Sequence, residues 1–370
     1  MSMSISVQKG LSKEASLGRY KEKCMRVNEN RSRATRGSAS DIAQVLGVSK
    51  AAVSYALNGK PGISDETRRS IIELARAYGV EVPERATNMH TIPSLVGLVL
   101  ADLSNPFYQE LGVAVAEVAR SHNLNTLLAH TGDRPKDLLS TVQTMTQHGV
   151  NGIILTATQD GDASVARLLR NANLPYVQVS RKMPTVRAAF VGIDNKNAAK
   201  DMALHMVSHG YKKIALSIGP RSSSASNERH VGYLEGLIES GLSTPTEWIV
   251  RTDLGTGGGY NAAKHFRSLK RGLPEAILCG SDAIAFGIIE DFNAHGISVP
   301  DDVAVGGFDG VTPAVWPGFS LTTIVQPIRA MADQAVVQLE NLMRNERVKQ
   351  MDIVCPYELH IGNSCRCQPI

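Results

Sequence analysis

From Leu95 onward the chain alternates short apolar runs with amphipathic helical stretches, and this alternation constrains the fold more than any other feature. The runs Leu95–Leu100, Leu124–Ala129, Gly152–Leu155, Tyr176–Val179, Phe190–Ile193, Lys213–Ser217, Trp248–Val250, Ala276–Leu278 and Val303–Gly306 read as strands. Helical periodicity fills the intervals, as in Phe107–Ser121, Asn195–His209, Asn227–Ser240, Tyr260–Leu269 and Ala283–His295. Strand and helix in steady succession specify an α/β fold of parallel sheets with crossover helices. The stretch 95–365 is longer than one open sheet ordinarily needs, so it divides into two lobes.

Residues 38–79 follow a different rule. Ser40 reads as the cap of a first helix with Asp41 in its first turn, and Ala43 and Leu46 face inward. Gly47 supplies a tight turn, Ser49 caps a second helix, and Val53, Ala56 and Leu57 form its buried stripe. Lys50, Ala51, Ser54 and Tyr55 are left facing outward. A third helix starts at Ser64, buries Ile71, Ile72, Leu74, Ala75 and Tyr78, and stops at Gly79. Two short helices crossing at a glycine turn, braced by a third, make a helix-turn-helix head, whose second helix enters the major groove of DNA.

Charge agrees with a polyanionic partner. Residues 1–94 hold 15 Lys and Arg against 9 Asp and Glu, whereas the rest of the 370-residue chain is close to neutral. Residues 1–37, rich in Ser, Lys, Arg and Asn, read as a basic disordered extension, an electrostatic arm or a translated leader before Met25. Residues 80–94, with Pro83 and Pro93, read as a linker. No apolar run reaches the roughly 20 residues of a membrane span, and the first ten residues lack a secretory apolar segment. Five scattered cysteines do not make a disulfide framework. A cytoplasmic location is expected.

The run DIAQVLGVSKAAVSYALNGKPGISDETRRSIIELARAYG (residues 41–79) resembles the DNA-binding head of the lactose/galactose repressor (LacI/GalR) family. Further matches follow in family order: VGLVLADLSNPFYQEL, GVNGIIL, VGIDN, HGYKKIALSIGP, RHVGY, CGSDAIAFG, VAVGGFDG and LTTIVQP. The resemblance spans about residues 38–365. It implies a homodimeric transcription regulator, most often a repressor, acting on a near-palindromic double-stranded DNA operator. It further implies a two-lobed, periplasmic-binding-protein-like core crossed three times by the chain, with a small molecule between the lobes.

Carried over position by position, the resemblance places Lys50, Ala51 and Tyr55 where bases are read, and Ser49, Ser54 and Asn58 near phosphates. Tyr55 stands where arginine is common, which removes a bidentate guanine contact. In residues 80–94 the family's hinge helix is altered: Ala86-Thr87-Asn88-Met89 replaces the expected Ala-x-x-Leu. Met89 then becomes the minor-groove wedge and Arg85 a backbone or groove contact. Effector positions fall on Phe107, Tyr108, Ser180, Arg181, Arg229, Ser281, Asp309 and Gln326. Ser180 replaces an acidic residue, and Leu254, before the flexible-looking glycine run 255–259, replaces an aromatic one.

Other constellations carry less. The glycine run lacks dinucleotide-binding spacing, and His205 and His209 have no glutamate partner for a metal. Cys355, His360, Cys365 and Cys367 read as a frayed tail with free thiols. No cofactor, no metal site and no nucleophile–base pair are expected, so the chain is not read as an enzyme. The alternatives are an orphan regulator without effector, a solute-binding protein of the same core fold, and an α/β enzyme with an accessory head. The second needs a signal peptide and no helix-turn-helix; the third needs a catalytic constellation in the cleft.

Overall fold

The computed structural model describes residues 38–58, 63–82, 94–159, 161–184, 186–344, 346 and 350–366. The basic extension, Arg85, Met89 and Cys367 lie outside the described residues. Two compact units divide the chain, with the boundary between Ile92 and Pro93.

In the first unit, α1 spans Ala39–Leu46, α2 Lys50–Leu57 and α3 Asp65–Ala77. The cap of α1 is Ser38 rather than the expected Ser40. Asp41 sits three residues after Ser38 and returns a bond to its backbone N–H (2.8 Å), closing a reciprocal capping box. From Ser40 the third residue would be Ala43, which has nothing to return. Gly47 turns the chain at φ +66°, and Ser49 and Ser64 cap the next two helices. The core is small: Ile42, Ala43, Val53, Ala56, Ile71 and Ala75, flanked by Leu46, Leu57 and Leu74. Arg68 completes it. This arginine is only 3% exposed, and its Nη1 donates to the carbonyls of Tyr55 (3.1 Å) and Ala56 (3.3 Å) near the end of α2.

The second unit holds two six-stranded sheets. Strands β1 (Ser94–Leu100), β2 (Leu124–His130), β3 (Gly152–Leu155), β4 (Tyr176–Val179) and β5 (Ala189–Ile193) build the first. Strands β6 (Ile214–Ile218), β7 (Ile249–Arg251), β8 (Ala276–Cys279), β9 (Ala304–Asp309) and β10 (Thr322–Val325) build the second. All of these pair in parallel; Val96, for instance, stands between Thr126 and Gly152. The chain crosses between lobes after β5, after β10 and again between β11 (Asp352–Cys355) and β12 (Glu358–His360). Strand β11 adds to β5 in parallel, whereas β12 lies antiparallel to β10, an exception to the all-parallel expectation. The cause is topological. The chain leaves the second lobe at the end of β10 and re-enters at the same end, so β12 runs the opposite way.

Two local expectations are corrected. Trp248 belongs to a short 3-10 turn, Thr246–Trp248, ahead of β7. The glycine run is no flexible loop: Thr256–Ser268 is helical, and buried Gly258 and Gly259 form its first turn. A Cβ at Gly259 would collide with the Ile284 carbonyl and lie 2.9 Å from Gly287 Cα, so Gly259 and Gly287 let two helices touch along their backbones.

Close approach also sets the pair Asn195–Ser208 and Ser224–Glu239. A Cβ on Gly232 would collide with the Lys196 carbonyl oxygen, and one on Gly236 would lie 2.8 Å from Ala203 Cβ. Gly232→Val is therefore expected to force these helices apart at a cost of about 1–3 kcal/mol. Urea unfolding followed by circular dichroism would measure it, and an unchanged midpoint would contradict the packing described.

Candidate DNA-reading face and effector cleft

On α2 the caps and the buried stripe leave one continuous outer face. Ser49, Lys50, Ala51, Ser54, Tyr55 and Asn58 are all exposed, Tyr55 by 41%. Ser49 Oγ accepts from Ala52 N (3.1 Å), which leaves its hydroxyl hydrogen available to a phosphate. The Asn58 amide bonds back to the Ser54 carbonyl (2.9 Å) and hydroxyl (3.4 Å), holding those two side chains side by side.

In the core, the parallel strands of both lobes end at one cleft, where loops turn into helix N-termini. After β1, Asn105 caps Pro106–Ser121 by accepting from Phe107 N (3.0 Å). Beyond β4, Ser180 takes a positive φ of 66° and Arg181 turns inward. Arg181 is 1% exposed and forms a two-pronged ion pair with Asp133 (2.6 and 3.0 Å), which Gln159 also holds through its amide (2.7 and 3.0 Å). Its guanidinium lies 5.6 Å from the Tyr108 ring centre. Burial works against the Arg181 charge, but Tyr108 and Asp133 outweigh it and hold the guanidinium above its usual value. Burial pushes the Tyr108 hydroxyl up to about 12 despite the neighbouring Arg181.

The second lobe mirrors this with Arg229, which donates to Asn195 Oδ1 (2.9 Å), the Gly280 carbonyl (2.6 Å) and Asp309 Oδ1 (3.1 Å). Its guanidinium stacks 3.7 Å from the Phe308 ring centre. Asp309, at φ +127°, also accepts from Gln326 Nε2 (2.8 Å). Burial pushes the Asp309 carboxyl up to about 6; Arg229, although only 3.1 Å away, does not overcome the loss of water.

Seven of the eight expected effector residues, Phe107, Tyr108, Ser180, Arg181, Arg229, Ser281 and Asp309, line one cavity of about 10 Å³. Gln326 stands behind Asp309. Asn105, Ala225 and Ser226 also line the cavity and escaped the sequence reading, as did the partners Asp133 and Asn195. Asn105 carried a usable signal, because an Asn-Pro pair ahead of an apolar run marks a helix start. Asp133 carried none, since it meets Arg181 across 48 residues. The lobes touch directly: Asn105 Nδ2 donates to the Leu254 carbonyl (3.0 Å), Lys182 N to Ser224 Oγ (3.0 Å) and Thr312 N to Glu110 Oε1 (2.8 Å). Ser281 Oγ donates to the same Leu254 carbonyl (2.9 Å).

Among the described residues no group of His, Cys, Asp and Glu could hold a metal. His205 and His209 pack ring against ring at 4.7 Å, and burial lowers the pKa of His205. Through Arg366 the tail is not frayed. Cys355 is a buried free thiol in β11, and Cys365 is fully buried and disulfide-bonded. Docking of β12 and the turn after it onto the second sheet orders this segment. No described helix is long and apolar enough to cross a membrane.

A helix-turn-helix head with an open outer face, followed by a two-lobed core with a polar cleft, defines a ligand-responsive DNA-binding regulator. Comparison with known proteins agrees. Residues 39–79 match the bacterial regulatory proteins of the lacI family, and residues 94–350 match the periplasmic binding proteins and sugar binding domain of the LacI family. The HTH-type transcriptional regulator DegA of Bacillus subtilis is 30% identical, over 88% of this chain and 96% of its own. Among solved structures, the transcriptional regulator CelR in its cellobiose complex superposes with a TM-score of 0.66 at 23% identity, over 89% of this chain and 100% of that one. The lac repressor dimer bound to operator and the anti-inducer ONPF gives 0.66 at 20% identity, over 90% and 99%. The chain belongs to the LacI family of bacterial regulatory proteins. It is a DNA-binding transcriptional regulator with a small-molecule-binding core, and not an enzyme.

Proposed function

We propose that this protein is a cytoplasmic repressor that binds a near-palindromic operator as a homodimer and is controlled by a sugar or related hydroxyl-rich metabolite. The observation that carries the effector reading is the cavity at the strand ends of both lobes, where each lobe contributes a buried arginine already paired with an aspartate. With both charges balanced, the remaining capacity is for hydroxyl donors and acceptors, which Ser180, Ser226, Ser281 and Asp309 supply. The cellobiose held by CelR is a ligand of that chemistry. A cavity of about 10 Å³ admits one water, so a sugar enters only when the lobes part and break the direct bonds between them. Effector occupancy is thereby tied to lobe rotation, and the sign of regulation follows whichever rotation favours DNA.

On DNA, Lys50, Ala51 and Tyr55 are proposed to read bases and Ser49, Ser54 and Asn58 to hold phosphates, with Arg85 and Met89 at the central minor groove. Selection of sites from fragmented genomic DNA at fixed salt tests this; a recovered pseudo-palindrome supports it and binding without sequence preference overturns it. Tyr55→Ala is expected to lower the ratio of operator to non-specific affinity by about tenfold or more, while effector-dependent melting stays unchanged. Full retention of preference would move the reading face elsewhere.

A second reading, a regulator whose cleft takes no effector, draws on one observation. The Leu254 carbonyl is bonded by both lobes, through Asn105 and Ser281. Thermal shifts with a panel of mono- and disaccharides and nucleosides separate the two readings: a saturable shift supports the first and uniform silence the second.

A further inference from the structure

We propose that Asp282 is a positioning residue of the cleft, whose carboxylate pins the backbone corner 309–311 and so fixes the rotation at which Asp309 faces the effector. This rests on the reading of Asp309 as an effector contact. Asp282 itself lies outside the cavity lining, fully buried in the first turn of the helix Asp282–Ala294. Its Oδ2 accepts from the backbone of Gly310 (2.7 Å) and Val311 (2.9 Å), and its Oδ1 accepts from the Thr323 hydroxyl (2.5 Å). The corner it grips begins at Asp309, whose φ of +127° is a conformation that L side chains rarely adopt. Such a conformation persists only where its surroundings over-determine it. Here Gln326 N bonds the Asp309 carbonyl (3.0 Å), Gln326 Nε2 and Arg229 hold the side chain, and Asp282 takes the two N–H groups that follow. Space for the carboxylate comes from Gly307, where a Cβ would collide with Asp282 Oδ1.

Two carboxyls are thus buried close together. Burial, then the neighbouring Asp309, pushes Asp282 up to about 7, while Asp309 is pushed up to about 6. The groups facing them are Arg229, Arg181 and Tyr108 around Asp309, and Tyr233 and Cys279 around Asp282. Both acids bind protons more tightly folded than unfolded. Their contribution to stability is fully present below pH about 4 and is lost as pH rises through about 6 and 7.

The test uses the full chain and no effector, so a cleft that binds nothing would leave its outcome unchanged. Amide hydrogen exchange at Gly310 and Val311 is read in the parent, D282A and D282N. D282A removes the acceptor and is expected to speed both amides about tenfold to a hundredfold. D282N keeps an oxygen for the two N–H groups and turns its amide toward Thr323 Oγ1, so protection is expected to be rescued. Melting temperature from pH 5 to 8 provides the second readout. D282N, with one buried acid fewer, is expected to decline less steeply with pH than the parent. If D282A does not fold, T323V is expected to loosen the same two amides to a smaller degree. Unchanged exchange at both amides in D282A or, if that chain does not fold, in T323V would overturn the proposal, and so would a D282N pH profile parallel to the parent's.

Discussion

Arg229→Ala is expected to destabilise the two-lobed core by about 3–5 kcal/mol, because it strands a buried carboxylate rather than merely removing a contact. Arg229 satisfies Asp309, the Gly280 carbonyl and Asn195 together, and its plane covers Phe308. Alanine leaves the Gly280 carbonyl and Asn195 Oδ1 without their donor and leaves the buried Asp309 carboxylate with Gln326 alone. The loss is expected to be larger at pH 8 than at pH 5. Asp309 is already pushed up to about 6 with its arginine present, and without it the carboxyl takes up a proton at still higher pH. At pH 5 the variant therefore carries a neutral acid and is spared most of the electrostatic cost. Arg229→Lys retains the charge but cannot span the three acceptors with a planar fork, so it should fall between the two. Urea titrations at both pH values would measure this; a change below about 1 kcal/mol at pH 8 would mean the site is wet.

Arg68→Ala is expected to weaken operator binding in a temperature-dependent way while leaving the core's melting transition in place. The head rests on a handful of buried side chains, and domains of this size hold little stability in reserve. Arg68 holds the carbonyls of Tyr55 and Ala56, which anchors α2 to α3. Hydrogen bonds to charged groups contribute about 1.5–3 kcal/mol, comparable to the whole stability of a small head. DNA affinity should fall about tenfold to a hundredfold near 30 °C and recover on cooling, since the reading face is intact whenever the head is folded. Tyr55→Ala should show no such recovery. Identical temperature dependence for the two variants would dissociate Arg68 from head stability.

Much of this was legible in the chain because its signals are local. Asn195, Ala276 and Tyr176 begin their elements where the periodicity starts, and the head's turn at Gly47 follows from one glycine. The missed strands are short and pattern-poor: DIVC and ELH become strands only because β5 and β10 offer them an edge. The same holds for the site. The residues lining the cleft were accessible through resemblance, but the partners Asp133 and Asn195 meet them across 48 and 34 residues, and Asp282 meets Gly310, next to Asp309, across 28. Nothing in the local sequence marks Arg68, and only the closing of α3 onto α2 buries it. The glycines at 258 and 259 misled for a related reason, since locally they signal freedom, whereas Gly258 packs on the Asp253 backbone and Gly259 on the helix 282–294.

The strand exchange near the C-terminus has a consequence for how the chain is made. Strand β11, Asp352–Cys355, belongs to the first lobe, yet the ribosome delivers it after the whole of the second. Until then β5, a fully buried strand in the finished protein, waits with its outer row of backbone groups unanswered. The second lobe waits for β12, which follows β11 in the chain. Neither sheet is complete until residues 352–360 have been made, and a transcript truncated after Met343 would produce two unsealed sheets at once, with both edges open to other nascent chains.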